Sequence, residues 1–232
     1  MTFIHKNIKF LREQRQMTHE QLAMMCNMSA HSMKTIENSD KEPNMQELVA
    51  LAEALNYPVD RLIIENLEKN YYLLKSFEFK FLALDIDGVL TDGGVYYSES
   101  GDEQKKFNAK DGLVILTLTE AGKYVGFISS GKNSHIIENR AALLGVQKVY
   151  FGTWKKAEVL EEWCKELNIG FENIAYIGDD INDMPVIQKA GLTACPADAV
   201  PLVKEAVNIV LSKKGGEGCV REFVEKYIME IR

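Results

Sequence analysis

Two short acidic segments hold most of the residues in this sequence that could do chemistry. The first, Asp85-Ile86-Asp87-Gly88-Val89-Leu90-Thr91-Asp92, follows the apolar run Phe81-Leu82-Ala83-Leu84. Asp85 and Asp87 are therefore expected to emerge at the end of a buried strand, where side chains at i and i+2 point to the same side. Two carboxylates that close repel each other unless a cation or a shared proton intervenes. A hard, oxygen-seeking ion such as Mg²⁺ resolves the repulsion and also neutralises a bound phosphate. The second segment, Gly178-Asp179-Asp180-Ile181-Asn182-Asp183, follows another apolar run, Ile174-Ala175-Tyr176-Ile177. If both strands are central and parallel, the two clusters face each other across one metal. Ser130 and Gly131 follow a third run and offer a hydroxyl and a backbone donor for phosphate oxygens. Lys156, at the start of a helical pattern, supplies the positive charge that phosphoryl transfer demands. One acidic pair after a strand is weak evidence, because Asp is common at strand ends and in turns; four elements in this order have mutually consistent roles.

These residues need a scaffold that brings several strand ends together. After about residue 79 the sequence alternates short apolar runs (79–86, 124–129, 149–151, 174–177, 192–195 and 207–211) with amphipathic patterns such as Ala157, Leu160, Cys164 and Leu167. That alternation predicts a Rossmann-like α/β domain, a mostly parallel sheet with helices on both faces. Such sheets bind ligands at the carboxyl ends of their strands. Residues 95–107, where Val95-Tyr96-Tyr97 and Lys106-Phe107 flank Ser100-Gly101-Asp102, interrupt the alternation and read as an inserted β-hairpin. Residues 1–68 have a different rhythm. Apolar positions recur at helical spacing (Ile4, Ile8, Leu11; Leu22, Ala23, Cys26; Met45, Leu48, Ala52, Leu55), with cap-type residues at Thr18/Gln21 and Ser29/Ser32. A small all-α domain over 1–68, a partly helical linker over 69–78 and the α/β domain over 79–232 follow.

Bulk properties narrow the function classes. Hydrophobic residues make up 46% of the 232 and charged residues 26%, the balance of a globular protein. No run approaches the roughly 18 apolar residues of a membrane span, and no signal-peptide core opens the chain, so a cytoplasmic protein with no membrane partner is expected. Cys26, Cys164, Cys195 and Cys219 lack metal-ligand spacing and read as buried, reduced thiols, with Cys219 in a glycine-rich stretch the candidate for a reactive one. A net charge of −7 argues against strong non-specific nucleic-acid binding.

With these residues in view, residues 78–230 resemble the haloacid dehalogenase-like phosphatases, and within them the enzymes of the 3-deoxy-D-manno-octulosonate 8-phosphate phosphatase type. The likeness rests on the residues from Asp85 to Asp92, Phe107-Asn108-Ala109-Lys110-Asp111-Gly112, Arg140 with Leu144-Gly145, the residues from Gly178 to Pro185, and Gly215-Gly216-Glu217-Gly218-Cys219-Val220-Arg221-Glu222. It implies that Asp85 attacks phosphorus and carries an aspartyl-phosphate, while Asp87 acts as general acid and base and lends its backbone carbonyl to Mg²⁺. It further implies that Asp179 is a direct metal ligand supported by Asp180 and Asp183, and that Ser130 and Lys156 hold the phosphoryl group. Gly88, Gly131, Asn108 and Arg221 are the implied substrate contacts. The implied substrate is a phosphorylated 2-keto-3-deoxy sugar acid, of the octulosonate 8-phosphate or nonulosonate 9-phosphate type. The implied assembly is a homotetramer in which a neighbour's hairpin (95–107) and tail (215–222) close the site. The chain departs from the pattern at Lys132, where the family often has Arg, and at Val114, where it often has glycine.

The first domain resembles the phage-repressor-type helix-turn-helix family, through Leu11-Arg12, Thr18, Gln21-Leu22-Ala23, Ser29, Ile36-Glu37, Pro43 and the stretch from Leu48 to Leu55. By that likeness residues 29–38 form the recognition helix, and Ala30, His31, Ser32 and Lys34 face the major groove. Residues 1–68 carry seven Lys/Arg against ten Asp/Glu, although within 1–38 the count is five against three. Lys6, Lys9, Arg12, Arg15 and Lys34 are the expected phosphate contacts. DNA is a possible partner, and a purely structural or protein-contacting role is the alternative. Met24, Met25, Met28 and Met33 read as core filler. A second function class also fits, a transcriptional regulator whose phosphatase-like domain senses a sugar phosphate, but sensing alone has no need of Asp87 beside a nucleophile.

Overall fold

A computed structural model describes residues 2–131, 134–152 and 155–229; Lys132 lies outside the described residues. The chain forms two compact units that divide between Tyr72 and Leu73.

The first unit is helical throughout: α1 (Ile4–Gln14), α2 (His19–Met25), α3 (Ala30–Glu37), α4 (Met45–Ala54) and α5 (Val59–Ile64), followed by α6 (Leu67–Ser76), which crosses the division. Its starts are set by side chains that accept otherwise unpaired backbone N–H groups. Thr18 and Asn44 form reciprocal capping boxes with Gln21 and Glu47, and Ser29 accepts from Ser32. Ile8, Leu22, Met33, Ile36, Leu51, Leu55 and Leu62 are fully buried at its centre. Of the four methionines expected in the core, Met33 is fully buried and Met28 packs against that core partly buried. Met24 and Met25 are 76% and 57% exposed, because Leu22, Ala23 and Cys26 already define the buried stripe of α2 and the two methionines fall outside it.

The second unit is built on six parallel strands: β1 (Phe81–Asp85), β4 (Tyr124–Ser129), β5 (Lys148–Phe151), β6 (Ile174–Ile177), β7 (Leu192–Cys195) and β8 (Ile209–Val210). Their order is β5-β4-β1-β6-β7-β8, so β1 lies at the centre between β4 and β6. Successive β1 residues serve opposite faces. Leu82 and Leu84 pack with α7 (Ala109–Glu120), α8 (Ser134–Leu143) and α12 (Cys219–Phe223). Phe81 and Ala83 pack with α9 (Lys156–Leu167), α10 (Met184–Ile187) and α11 (Pro201–Ala206). Both faces are covered, so the strands read as continuous apolar runs rather than alternating ones. The insertion is a two-stranded antiparallel hairpin, β2 (Tyr96–Tyr97) and β3 (Glu103–Gln104). Val114 is buried in the core. All four cysteines are free and buried, and burial pushes the Cys219 thiol well above its ordinary range, which removes its claim to reactivity. No described helix is long and apolar enough to cross a membrane.

Candidate active site

β1 ends at Asp85, and the chain turns at once: Gly88 has φ +85°, and Thr91 N–H donates to the Ile86 carbonyl. Asp87 is therefore not on the strand, and the strand alternation expected to align it with Asp85 does not operate. The two carboxylates make different contacts. That of Asp85 is buried with Lys156, whereas that of Asp87 reaches Lys105 Nζ at 2.5 Å and Ser129 Oγ at 3.5 Å.

Beneath the turn lies a cluster of buried charge. Lys156, 1% exposed, places its ammonium 2.8 Å from Asp85 Oδ1 and 2.7 Å from Asp183 Oδ1. Tyr176 donates its hydroxyl to Asp183 Oδ1 at 2.6 Å, and the N–H groups of Asp179 and Asp180 donate to Asp183 Oδ2. Every lone-pair direction of Asp183 is thus spoken for, so it orients the 179–183 loop. Asp179 is different. Its Oδ1 is buried without a hydrogen-bond partner, while its Oδ2 sits where a side chain on Gly88 would be, 2.0 Å from an added Cβ. Only glycine lets the turn close over that carboxylate.

Oxygens of Asp85, Asp179 and Asp183 lie within 4.8 Å of one another. Burial raises Asp85 well above the usual carboxylate range, repulsion from Asp183 adds to this, and Lys156 opposes it. Burial likewise pushes Asp179 up to about 7, with Asp183 again adding and Lys156 opposing. One ammonium cannot balance three carboxylates, and an orphaned carboxylate oxygen faces the group. This all-oxygen donor set fits a hard divalent cation. Asp85 and Asp179 have the oxygens to offer it, and Asp183 does not.

A cleft of about 230 Å³ opens above the cluster, lined by Asp85, Asp87, Gly88, Gly93, Ser130, Gly131, Asp179, Asp180 and Asn182. Most of the expected site residues meet here. Lys156 lies behind the cleft, committed to carboxylates. Asn108 and Arg221 do not line it. Asn108 caps α7 and donates to the Gly216 carbonyl at 2.9 Å, while Arg221 pairs with Glu225 at 2.8 Å. The tail expected to reach a neighbour is instead folded against its own β1 turn. Gly216 N–H donates to the Val89 carbonyl, Cys219 and Val220 are fully buried, and an added Cβ on Gly215 would lie 2.0 Å from the Gly88 carbonyl oxygen. Two adjacent glycines allow that backbone-on-backbone contact, and the tail becomes a strut under the turn.

Four site residues escaped the sequence reading: Lys105, Ser129, Tyr176 and Asn182. Glu103 and Lys105 stand at i and i+2 on the hairpin, and Lys105 Nζ is 2.7 Å from Glu103 Oε1, a pairing that alternation could have suggested. Tyr176 was hidden inside an apolar run, although a buried phenol needs a partner.

In the first unit, His31 and Lys34 are exposed on α3 and Ser32 is partly so. Arg12 is withdrawn from the expected phosphate contacts. It is buried, with Nε 2.6 Å and Nη2 2.8 Å from the two oxygens of Glu37. Arg15 spends its guanidinium on the carbonyls of Ala54 and Leu55.

A parallel sheet with a buried acidic cluster at the end of its central strand defines the class, and the comparisons agree with it. The family model described as haloacid dehalogenase-like hydrolase matches residues 133–223, and a helix-turn-helix model matches residues 8–62. The 3-deoxy-D-manno-octulosonate 8-phosphate phosphatase of Salmonella typhi is 36% identical over 159 residues, covering 68% of this chain and 84% of that one. The cobalt-bound deoxy-D-mannose-octulosonate 8-phosphate phosphatase of Haemophilus influenzae superposes with a TM-score of 0.63 at 36% identity, over 68% of this chain and 90% of that one. The Moraxella catarrhalis 3-deoxy-D-manno-octulosonate 8-phosphate phosphatase, in complex with a magnesium ion, a phosphate ion and a KDO molecule, superposes with a TM-score of 0.65 at 30% identity, over 69% and 91%. The chain belongs to the haloacid dehalogenase-like phosphatases; it is a phosphoric monoester hydrolase with an N-terminal helix-turn-helix domain.

Proposed function

We propose that this phosphatase hydrolyses a phosphorylated 2-keto-3-deoxy sugar acid, with Mg²⁺ as its ion and Asp85 as its nucleophile. The observation that carries the reading is the buried excess of negative charge at the end of β1, where Asp85, Asp179 and Asp183 share one lysine. Asp85 Oδ1 accepts from Ile86 N–H at 2.8 Å and from Lys156, leaving Oδ2 as the oxygen that attacks. The new Oδ2–P bond forms as the ester P–O bond breaks, and Asp87 passes a proton to the departing oxygen. Asp87 then takes a proton from water, the water oxygen bonds to phosphorus, and phosphate leaves with Asp85 regenerated. Ser130 faces the cleft and contacts the phosphoryl oxygens, the Gly131 N–H that was expected to join it donates to Ser129 Oγ at 3.0 Å, and Lys156 holds the nucleophile rather than the substrate. Bound Mg²⁺, held by Asp85, Asp179 and the Asp87 carbonyl, supplies neutralisation of the phosphoryl charge.

The substrate class follows the relatives, whose names specify octulosonate 8-phosphate and one of which holds KDO. Lys156 and Lys105 are both paired with carboxylates, which supports a reading in which another copy, within a homotetramer, supplies the counter-charge for a sugar-acid carboxylate. The helix-turn-helix unit supports DNA binding through His31, Ser32 and Lys34, with Lys6 and Lys9 also exposed. The test is an assay of phosphate release, with and without Mg²⁺, from a panel of 2-keto-3-deoxy sugar acid phosphates. Release that requires Mg²⁺ and prefers one panel member is the expected result. Equal release from unrelated sugar phosphates would overturn the substrate reading, and undiminished release in chelator the metal reading.

A further inference from the structure

We propose that Asn182 is a positioning residue that fixes the direction of the Ser130 hydroxyl, so that its hydrogen points at the transferring phosphoryl group; this rests on the reading of Ser130 as a phosphoryl contact. Both residues line the cleft, and Asn182 Nδ2 donates to Ser130 Oγ at 3.1 Å. A serine hydroxyl has one hydrogen and two lone pairs. Accepting from Asn182 occupies a lone pair and leaves the hydrogen free to donate into the cleft. The neighbouring Ser129 has no such freedom, since it accepts from Gly131 N–H at 3.0 Å and donates to Asp87 Oδ2 at 3.5 Å.

The bond also spans the nucleophile. Ser130 follows β4 and Asn182 follows β6, the two strands that flank β1. Asn182 is presented rigidly, because it sits in the 3₁₀ turn Ile181–Asp183, whose entry Asp180 caps and whose last carboxylate is buried. Its Oδ1 is buried with no hydrogen-bond donor among the described residues, and a buried acceptor at a cleft edge points to a bound group that supplies one.

Aspartate at position 182 has nearly the same shape but no N–H, so it would accept from Ser130 and turn the hydroxyl away from the cleft. The experiment is a double-mutant cycle of Asn182→Ala and Asn182→Asp with Ser130→Ala, read by kcat/KM for p-nitrophenyl phosphate and by inhibition with orthovanadate. With Ser130 present, each Asn182 variant is expected to lose about tenfold in both readouts, and with Ser130→Ala less than about twofold. Losses that multiply independently of Ser130, or an Asn182→Asp enzyme equal to wild type, would overturn the inference while leaving the phosphatase reading intact. A wild type that is blind to orthovanadate and releases phosphate neither from p-nitrophenyl phosphate nor from any 2-keto-3-deoxy sugar acid phosphate would overturn both. Thermal unfolding checks that each variant is folded, and the near-isosteric Asn182→Asp carries the test if the alanine variant is not.

Discussion

Each unit of this protein buries a cluster of charge, and the two clusters are balanced differently. In the helical unit the guanidinium of Arg12 meets the carboxylate of Glu37 in a forked pair, its Nη1 donates to the Met17 carbonyl, and His19 Nε2 lies 3.1 Å from Glu37 Oε2. Donors and acceptors are matched and charge sums close to zero, the arrangement in which a buried ion pair fixes helices in place. In the sheet unit Lys156 faces three carboxylates, and Asp179 Oδ1 is left over. A fold has no structural reason to bury surplus charge, so the imbalance marks the cluster that takes a ligand. Burial alone does not separate a structural ion pair from a catalytic one; counting charges and unmatched atoms does.

The contrast can be broken most sharply at Asp85. Asp85→Asn should reduce phosphate release by about 10⁴-fold or more while the apparent unfolding temperature in chelator stays level or rises, since the variant removes surplus charge. A marked fall in that temperature would mean the cluster is structural after all. Arg12→Ala should do the opposite: leaving Glu37 buried without its guanidinium costs about 3–5 kcal/mol, read in calorimetry as loss of the helical unit's transition. An Arg12→Ala protein as stable as wild type would remove the distinction between the clusters.

Asp111 lies between the two cases, a buried carboxylate held by a backbone N–H of the tail, Arg221 N–H at 2.8 Å. Burial is the largest influence on it and pushes it up to about 6, opposed by the N–H groups of Arg221, Gly218 and Val220. The folded state thus prefers its protonated form. That contribution is full below about pH 4 and lost as pH rises through about 6, a change of about 3 kcal/mol. Asp111→Asn should flatten that part of the stability–pH curve, and an unchanged curve would show that the burial of Asp111 is not what sets it. The smallest effect is that of the ion. Mg²⁺ at about 100 times its Kd should stabilise the sheet unit by about 2.7 kcal/mol and leave the helical unit's transition where it is. A shift of both transitions, or of neither, would contradict a site confined to the second unit.

Much of this was readable before any coordinates, because local pattern and core burial act together. Strands β4, β6 and β7 begin and end where their apolar runs do, and the Thr18 capping box is as its residues require. The acidic segments after β1 and β6 come together because parallel strands deliver their carboxyl ends to one edge. Illegible were the features set by contacts distant in sequence. Asn108, expected at the substrate, is a tie to Gly216, 108 residues away. Arg12, expected at DNA phosphates, is the partner of Glu37. The tail braces its own turn through Gly216 N–H and the Val89 carbonyl.

The sequence by itself determined the element types and the chemistry that the carboxylates after the Phe81 run could perform, since periodicity and residue type are local properties. Only the tertiary structure decided which charges cancel and which remain. Whether Lys156 meets one carboxylate or two, whether Asp183 is satisfied, and where the Ser130 hydroxyl points all depend on distances of about 3 Å between segments far apart along the chain, the range over which a hydrogen bond is made or lost.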